Sequence, residues 1–325
     1  MSASRPFRFA VQAFQAKSAK EWRETAQRAE ELGYSALHLA DHYFGPGPLE
    51  AETSHPVQDL AAVPAMAMAA EATDRIRIGC RVFCVDYHVP AVLAKEAATL
   101  DLLSEGRLEL GLGAGWIEAE YRAMGVAWRP AGERIAHLAE VVSLVKAHFS
   151  GEQIDLAGER VRVSGYQGVP APVQRPHPPI MIGGGARKVL TLAGREADIV
   201  SLNFNNSAGR LGPASVQGST AEETARKIGW IRDGAGDRFD SIELEIAAYF
   251  TTVTEDREGQ LAAMAAGFGL TREQLAEHPH VLVGSASEIA EELHRRRERY
   301  GISYITVSSR VMQDFAPVVE ALAGT

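Results

Sequence analysis

Two short patterns carry most of the chemistry open to this chain. The first is Ala40-Asp41-His42. An imidazole titrates near neutral pH, so His42 at a strand end is suited to give or take a proton. Asp41 beside it can hold a ligand polar group or a backbone amide. The plain alternative is that the pair merely opens a loop. The second pattern is Gly183-Gly184-Gly185 followed by Ala186-Arg187-Lys188. A glycine turn entering a helix presents backbone amides at the positive end of the helix, which suits a phosphate, and Arg187 or Lys188 adds charge. The alternative here is a tight turn that needs positive φ.

A third segment, Gly111-Leu112-Gly113-Ala114-Gly115-Trp116, has the spacing G-x-G-x-G rather than the G-x-G-x-x-G of a dinucleotide fold. It marks a place where a flat or close-approaching group meets the backbone, with Trp116 beside it, or else a simple turn. Other chemistries find no support. The chain has no G-x-x-x-x-G-K-[ST] loop, no H-E-x-x-H and no G-x-S-x-G elbow. None of its six lysines stands at an expected strand end, which disfavours a Schiff-base aldolase or a phosphosugar enzyme of that type. His88 sits in a loop before Pro90 and reads as structural. His278-Pro279-His280 reads as a solvated loop rather than a metal site, and no metal centre is expected.

The elements that must position these residues alternate in type. Apolar runs at 7–11, 36–39, 76–82, 108–112, 180–182, 199–202, 242–247 and 304–307 read as strands. Between them lie helical patterns, such as Trp22, Ala26, Ala29 and Leu32 on one face with Gly33 as the stop. Eight strand–helix pairs are the number that closes a (β/α)8 TIM barrel, an α/β fold whose active site lies at the C-terminal strand ends. Gln12, Asp41, His42, Arg81, Gly113, Gly183, Asn203 and Ser308 all fall at those ends. A phosphate site after the fifth strand departs from the usual barrel position after the seventh and eighth. Residues 151–170 read as an inserted β-hairpin and 252–283 as an inserted helical region, within a single domain over 1–325.

Composition narrows the class. A chain of 325 residues with 46% hydrophobic content buries a large core without staples. Its formal charge of −9 lacks the positive field that nucleic acids require. The two cysteines, Cys80 and Cys84, lie about 13 Å apart if both are on one strand, too far for a disulfide. No run approaches the ~20 apolar residues of a membrane span, and the amino terminus lacks a signal-like stretch. A soluble cytoplasmic protein is the expectation.

Taken together, Glu30-Glu31-Leu32-Gly33-Tyr34, Ala40-Asp41-His42, Ile78-Gly79-Cys80-Arg81-Val82, the strand-4 glycines with Trp116, and Pro179-Ile180-Met181-Ile182-Gly183-Gly184-Gly185 resemble the luciferase-like monooxygenase family. Within it they are similar to the branch that uses the deazaflavin coenzyme F420. The resemblance runs from about residue 7 to 320. It implies a barrel with insertions that binds an isoalloxazine-type ring at its mouth. It implies a strand-3 bulge, Cys80, Arg81 and Val82, with a non-proline cis peptide between Arg81 and Val82 pressing on the ring. It places Asp41 beside the ring, His42 as proton carrier, Gly113, Gly115 and Trp116 near the ring, and Gly183, Gly184, Gly185 and Ala186 on the cofactor phosphate.

Two features depart from the pattern. Some relatives carry a second acid where this chain has Trp116, and here Glu118 or Glu120 follows instead. Arg81 replaces a small residue, so its side chain must turn from the ring or meet an anion. The expected activity is hydride transfer between deazaflavin C5 and a small organic substrate. The alternatives are an FMN-dependent, oxygen-using monooxygenase on the same barrel and a non-catalytic flavin-binding barrel. A homodimer is expected by analogy with the family.

Overall fold

The computed structural model describes residues 5–206 and 209–325. Eight parallel strands close into a barrel. They are β1 (Arg8–Gln12), β2 (Ala36–Leu39), β3 (Arg77–Cys84), β4 (Leu108–Gly113), β5 (Ile180–Gly184), β6 (Ile199–Leu202), β7 (Glu243–Ala247) and β8 (Ile302–Ser308). Each pairs with its neighbours in chain order, and β8 closes on β1 with Gln12 opposite Ser308. Helices pack outside, so this is a (β/α)8 barrel. Local signals set the helix ends. Ser18 accepts from the Glu21 amide at 3.1 Å to start Ala19–Glu31, and Ser285 and Glu288 form a capping box that starts Ala286–Tyr300. Gly33 stops the first helix at φ +82°, where a side chain is strained.

Strand parity divides the interior into two shells. Side chains alternate across a strand, so odd and even positions meet different surroundings. Val11, Leu37, Ile78, Cys80, Leu110, Ile182, Val200, Ile246 and Ile305 join the apolar annulus between strands and helices. Ala10, Ala36, Met181, Ile199 and Tyr304 form a small inner cluster, against which Val82 packs. Below it the barrel is plugged by charge. Glu109 accepts from Arg8 at 2.7 Å and Tyr304 at 2.8 Å, and lies 3.3 Å from His38 Nε2. Burial alone would raise the Glu109 carboxyl, but Arg8 and the His38 hydrogen bond outweigh it and hold the group well below the usual carboxylate range. This closed end leaves the opposite mouth for a ligand.

The insertions differ in detail from the sequence expectation. Gln153–Ala157 and Arg162–Gln167 do form an antiparallel hairpin. The region after β7 is not purely helical. Phe250–Val253 pairs in parallel with Val281–Gly284, and the helices Arg257–Phe268 and Arg272–Ala276 lie between them in sequence. Its own apolar cluster of Leu261, Leu275, Val281 and Val283 explains why the periodicity was strong enough to see, while four-residue strands are too short to register. Helix Glu118–Met124, after β4, was also not expected, and it carries a site residue. No described helix is long and apolar enough to cross a membrane.

Candidate active site

A cavity of about 600 Å³ opens at the C-terminal ends of the strands. Asp41, His42, Arg81, Val82, Gly113, Gly115, Trp116, Gly183, Gly184, Gly185 and Ala186 all line it. Residues from β2, β3, β4 and β5, more than 140 positions apart in the chain, therefore meet at one mouth because the barrel closes.

His42 is fixed from behind. Its Nδ1 lies 2.8 Å from Glu120 Oε2. Glu120 is fully buried on helix Glu118–Met124, whereas Glu118 is exposed. The Glu120 carboxylate also accepts from the Tyr43 amide at 2.6 Å and the Tyr87 hydroxyl at 3.0 Å. With donors converging on it, Glu120 acts as the acceptor for His42 as well, which puts the proton of the neutral ring on Nδ1 and leaves Nε2 free to act as base. His55 packs on His42 with ring centroids 4.1 Å apart, and Trp116 meets His42 edge-on at 6.1 Å. Burial and the neighbouring His42 push His55 down to about 3, so it stays neutral. Its Nδ1 is spent on the Pro56 carbonyl at 2.9 Å.

Asp41 Oδ2 accepts from the Cys84 amide at 2.9 Å and pairs with His88 Nε2 at 2.8 Å. Its Oδ1 is buried with no partner in hydrogen-bond geometry. His88, read from sequence as a plain loop residue, instead orients this carboxylate. The β3 bulge is present: the register against β4 slips between Cys80 and Phe83, and the Arg81–Val82 peptide is cis. Arg81 meets an anion supplied by the chain. Its Nε donates to both Glu245 oxygens at 3.0 and 2.9 Å, Nη1 donates to the Tyr249 hydroxyl at 3.1 Å and Nη2 to Asn203 Oδ1 at 3.2 Å. Arg81 is 5% exposed and Glu245 0%, so this is a buried pair.

The glycines are required by close approach rather than by backbone sign. None of Gly183, Gly184 and Gly185 has positive φ, so the tight-turn alternative fails. A Cβ on Gly185 would stand 2.0 Å from the Phe204 carbonyl oxygen, and one on Gly184 2.4 Å from Val189 Cγ1. A Cβ on Gly113 would stand 2.5 Å from Val82 Cγ2. Gly115 alone of the set needs positive φ, +70°, and packs under the Tyr121 hydroxyl. Ala186 caps helix Arg187–Glu196, so the bare backbone of the triglycine leads to the helix's positive end. The site therefore fits a planar ring with an anionic tail. Val82 is lodged between Gly113 and Gly183, the Asp41 carboxylate stands at the wall, and the three glycines add no side chains of their own.

Two expectations are corrected. Cys80 does not line the cavity; strand parity turns it into the outer annulus, while the bulge brings Cys84 to the wall in its place. His278 and His280 are not solvated but are 0% and 1% exposed. His278 Nε2 bonds the Val216 carbonyl at 2.9 Å and His280 Nδ1 the Ala247 carbonyl at 2.8 Å, and burial pushes His278 down to about 4. Sequence reasoning missed Tyr87, His55 and Glu245 as site residues. Glu245 had a usable signal, since an acid in the middle of an apolar strand demands a buried partner.

The sequence model of the family described as luciferase-like monooxygenase matches residues 3–301. The chain belongs to the luciferase-like monooxygenase family. Among curated family relatives, an F420-dependent glucose-6-phosphate dehydrogenase of Amycolatopsis mediterranei is 34% identical over 179 residues, 54% of this chain and 50% of that protein. The enzyme of the same description from Nakamurella multipartita is 30% identical over 248 residues, 73% of this chain and 65% of that protein. An FMNH(2)-dependent dimethylsulfone monooxygenase of Pseudomonas putida is 33% identical over 120 residues, 37% of this chain and 33% of that protein. The chain thus covers less than two thirds of these relatives' lengths. The luciferase-like fold recurs in the coenzyme F420-dependent tetrahydromethanopterin reductase of Methanopyrus kandleri, with TM-score 0.74, 17% identity and 98% of each chain covered. It recurs too in a monooxygenase of Streptomyces bottropensis, with TM-score 0.72, 22% identity and 96% of each chain covered. By their descriptions, the curated relatives named above are an F420-dependent dehydrogenase of glucose-6-phosphate and an FMNH(2)-dependent monooxygenase of dimethylsulfone, both acting on small molecules.

Proposed function

We propose that this chain is a coenzyme F420-dependent oxidoreductase that moves a hydride between deazaflavin C5 and a small organic substrate. The observation that carries the reading is the joint placement of the Glu120–His42 pair and the glycine cradle in one cavity. When bound, a deazaflavin supplies a two-electron hydride donor or acceptor, and the protein's part is to place, shield and exchange a proton. When a substrate carbon gives up hydride, His42 Nε2 would take the proton from the hydroxyl or amine on that carbon as the C=O or C=N bond forms, and would return it when the reverse reduction runs. Glu120 holds the tautomer that makes this possible. Gly183, Gly184, Gly185 and Ala186 would hold the phosphate, Asp41 the ring edge, and Val82 with Gly113 and Trp116 the ring faces. Retention of His42 argues against a non-catalytic flavin-binding barrel.

An FMN-dependent monooxygenase is the second reading, supported by the Pseudomonas putida relative at similar identity. We include a homodimer in the proposal, and size-exclusion chromatography with light scattering tests it. The cofactor test is titration of the protein with F420 and, separately, FMN, followed by tryptophan fluorescence. Quenching by F420 that weakens in Trp116→Phe supports the deazaflavin. Quenching by FMN alone transfers the assignment to the flavin, and binding of neither removes the redox reading.

A further inference from the structure

The barrel order places β5 four strands from β1 in either direction, so the glycine cradle faces β1 across the mouth. With the cradle assigned to the cofactor, the opposite wall, β8, β1 and β2, is left for the substrate. That wall is chemically one-sided. Of the three arginines lining the cavity, Arg81 is neutralised by Glu245. Arg134 is taken up by the Ala114 and Arg129 carbonyls and lies over Trp128. Arg310, just beyond β8, is exposed, and its guanidinium has no hydrogen bond or ion pair among the described residues. Of the acids, Glu120 is paired with His42 and Asp41 Oδ2 with His88, and Asp41 is assigned above to the cofactor ring edge.

Below Arg310, on β8, Tyr304, Thr306 and Ser308 share one parity and point inward. Tyr304 is used by Glu109. Thr306 is 1% exposed and lines the cavity, yet its hydroxyl has no partner. A buried hydroxyl left unsatisfied costs about 1–3 kcal/mol, which a ligand acceptor would recover. Ser308 Oγ accepts from the Arg310 amide at 3.3 Å and keeps its own proton to donate. One arginine and two hydroxyls thus line the cavity along and just beyond β8, where a TIM barrel commonly binds an anion.

We propose that the substrate is a small organic oxyanion, a carboxylate or a phosphate ester, whose acidic group is held by Arg310, Thr306 and Ser308. This rests on the oxidoreductase reading above. β8 and β2 are separated by two strand spacings, about 10 Å, so a molecule of that length presents its reacting carbon to His42 while its acid sits at Arg310.

The test is calorimetric titration of the F420-loaded protein with inorganic phosphate and, separately, with malonate. Binding of one of them by the wild type, weakened about tenfold or more by Arg310→Gln and in the same direction by Thr306→Val, is the expected result. Preference for phosphate indicates a phosphate ester, and preference for malonate a carboxylate. Both variants should keep wild-type quenching by F420, which shows them folded with the cofactor site intact. Failure of both anions to bind the loaded wild type, or equal binding by Arg310→Gln, overturns the proposal while leaving the cofactor assignment standing. Should neither F420 nor FMN bind, the cofactor reading falls, and the same Arg310 comparison on the unloaded protein still decides the anion site.

Discussion

Replacing Glu120 separates two roles that are easily confused. The carboxylate accepts three hydrogen bonds, from His42 Nδ1 at 2.8 Å, the Tyr43 amide at 2.6 Å and the Tyr87 hydroxyl at 3.0 Å. Glu120→Ala strands all three donors in a site with no water-sized exposure of residue 120. At about 1–3 kcal/mol for each unsatisfied group, with some relief from solvent entry, a loss of about 3 kcal/mol or more is expected in urea unfolding. Glu120→Gln has the same shape and behaves differently. Its carbonyl keeps the Tyr43 amide, so its NH2 faces His42 and Tyr87. The Tyr87 hydroxyl can rotate to accept. The His42 ring must then accept at Nδ1, which moves its proton to Nε2. Stability should change by only about 1 kcal/mol, while the nitrogen facing the cavity turns from base into donor.

The readout is the histidine tautomer, followed by long-range ¹H–¹⁵N NMR of the protein without substrate. Wild type should show His42 protonated on Nδ1, and Glu120→Gln on Nε2. Turnover, once a substrate is in hand, should fall by about 10²–10⁴, the usual worth of a positioned acid or base. A Glu120→Gln protein that is folded and still protonated on Nδ1 would refute the reasoning, because the carboxylate would then not be what sets the ring.

Three further outcomes follow from the same contacts. Glu245→Leu leaves the Arg81 charge buried and unpaired and should cost about 3–5 kcal/mol in thermal or urea unfolding, whereas Arg81→Met with Glu245→Leu should recover most of it; an unchanged single variant would show the pair to be solvated. Gly185→Ala sets a methyl 2.0 Å from the Phe204 carbonyl and should destabilise by about 1–3 kcal/mol and loosen the phosphate cradle, read as weaker F420 quenching, with wild-type values counting against the close approach. His278 is held neutral down to about pH 4, while the unfolded chain protonates it near 6.5, so its contribution is intact above 6.5 and is lost as pH falls through that window at about 1.4 kcal/mol per unit. His278→Gln should flatten the stability profile between pH 6.5 and 4 by that slope, and an identical profile would mean the ring is reached by solvent.

The barrel was legible because its signal is repetitive. Eight apolar runs separated by helical periods leave few other ways to bury the chain, and the register of those runs placed Asp41, His42, Gly113 and Gly183 at one end without any knowledge of their contacts. What escaped were facts that depend on which neighbour a side chain meets. Nothing in Glu118-Ala119-Glu120 distinguishes its acids until the short helix turns one to His42 and the other to solvent. His88 and His278 looked like loop residues because their partners, Asp41 and the Val216 carbonyl, lie 47 and 62 positions away.

Cys80 shows the converse. Strand alternation alone would have excluded it, since Arg81 faces the cavity and adjacent residues cannot both do so on a regular strand. The bulge between Cys80 and Phe83 then resets the alternation, which is why Cys84, an odd number of residues from Arg81, still reaches the wall. That reset also accounts for the charge at the mouth. A regular strand would send the side chain after Arg81 into the outer annulus; here Val82 packs instead with the inner cluster, between Gly113 and Gly183. Val82 therefore fills the side of those two glycines that a Cβ would occupy, and Arg81 lies across the mouth against Glu245, Asn203 and Tyr249. The bulky arginine that departs from the family pattern is thus tied to the wall by Glu245 of β7 and by Asn203 and Tyr249 just beyond β6 and β7, and among the described residues lining the cavity the arginine without a side-chain partner is Arg310.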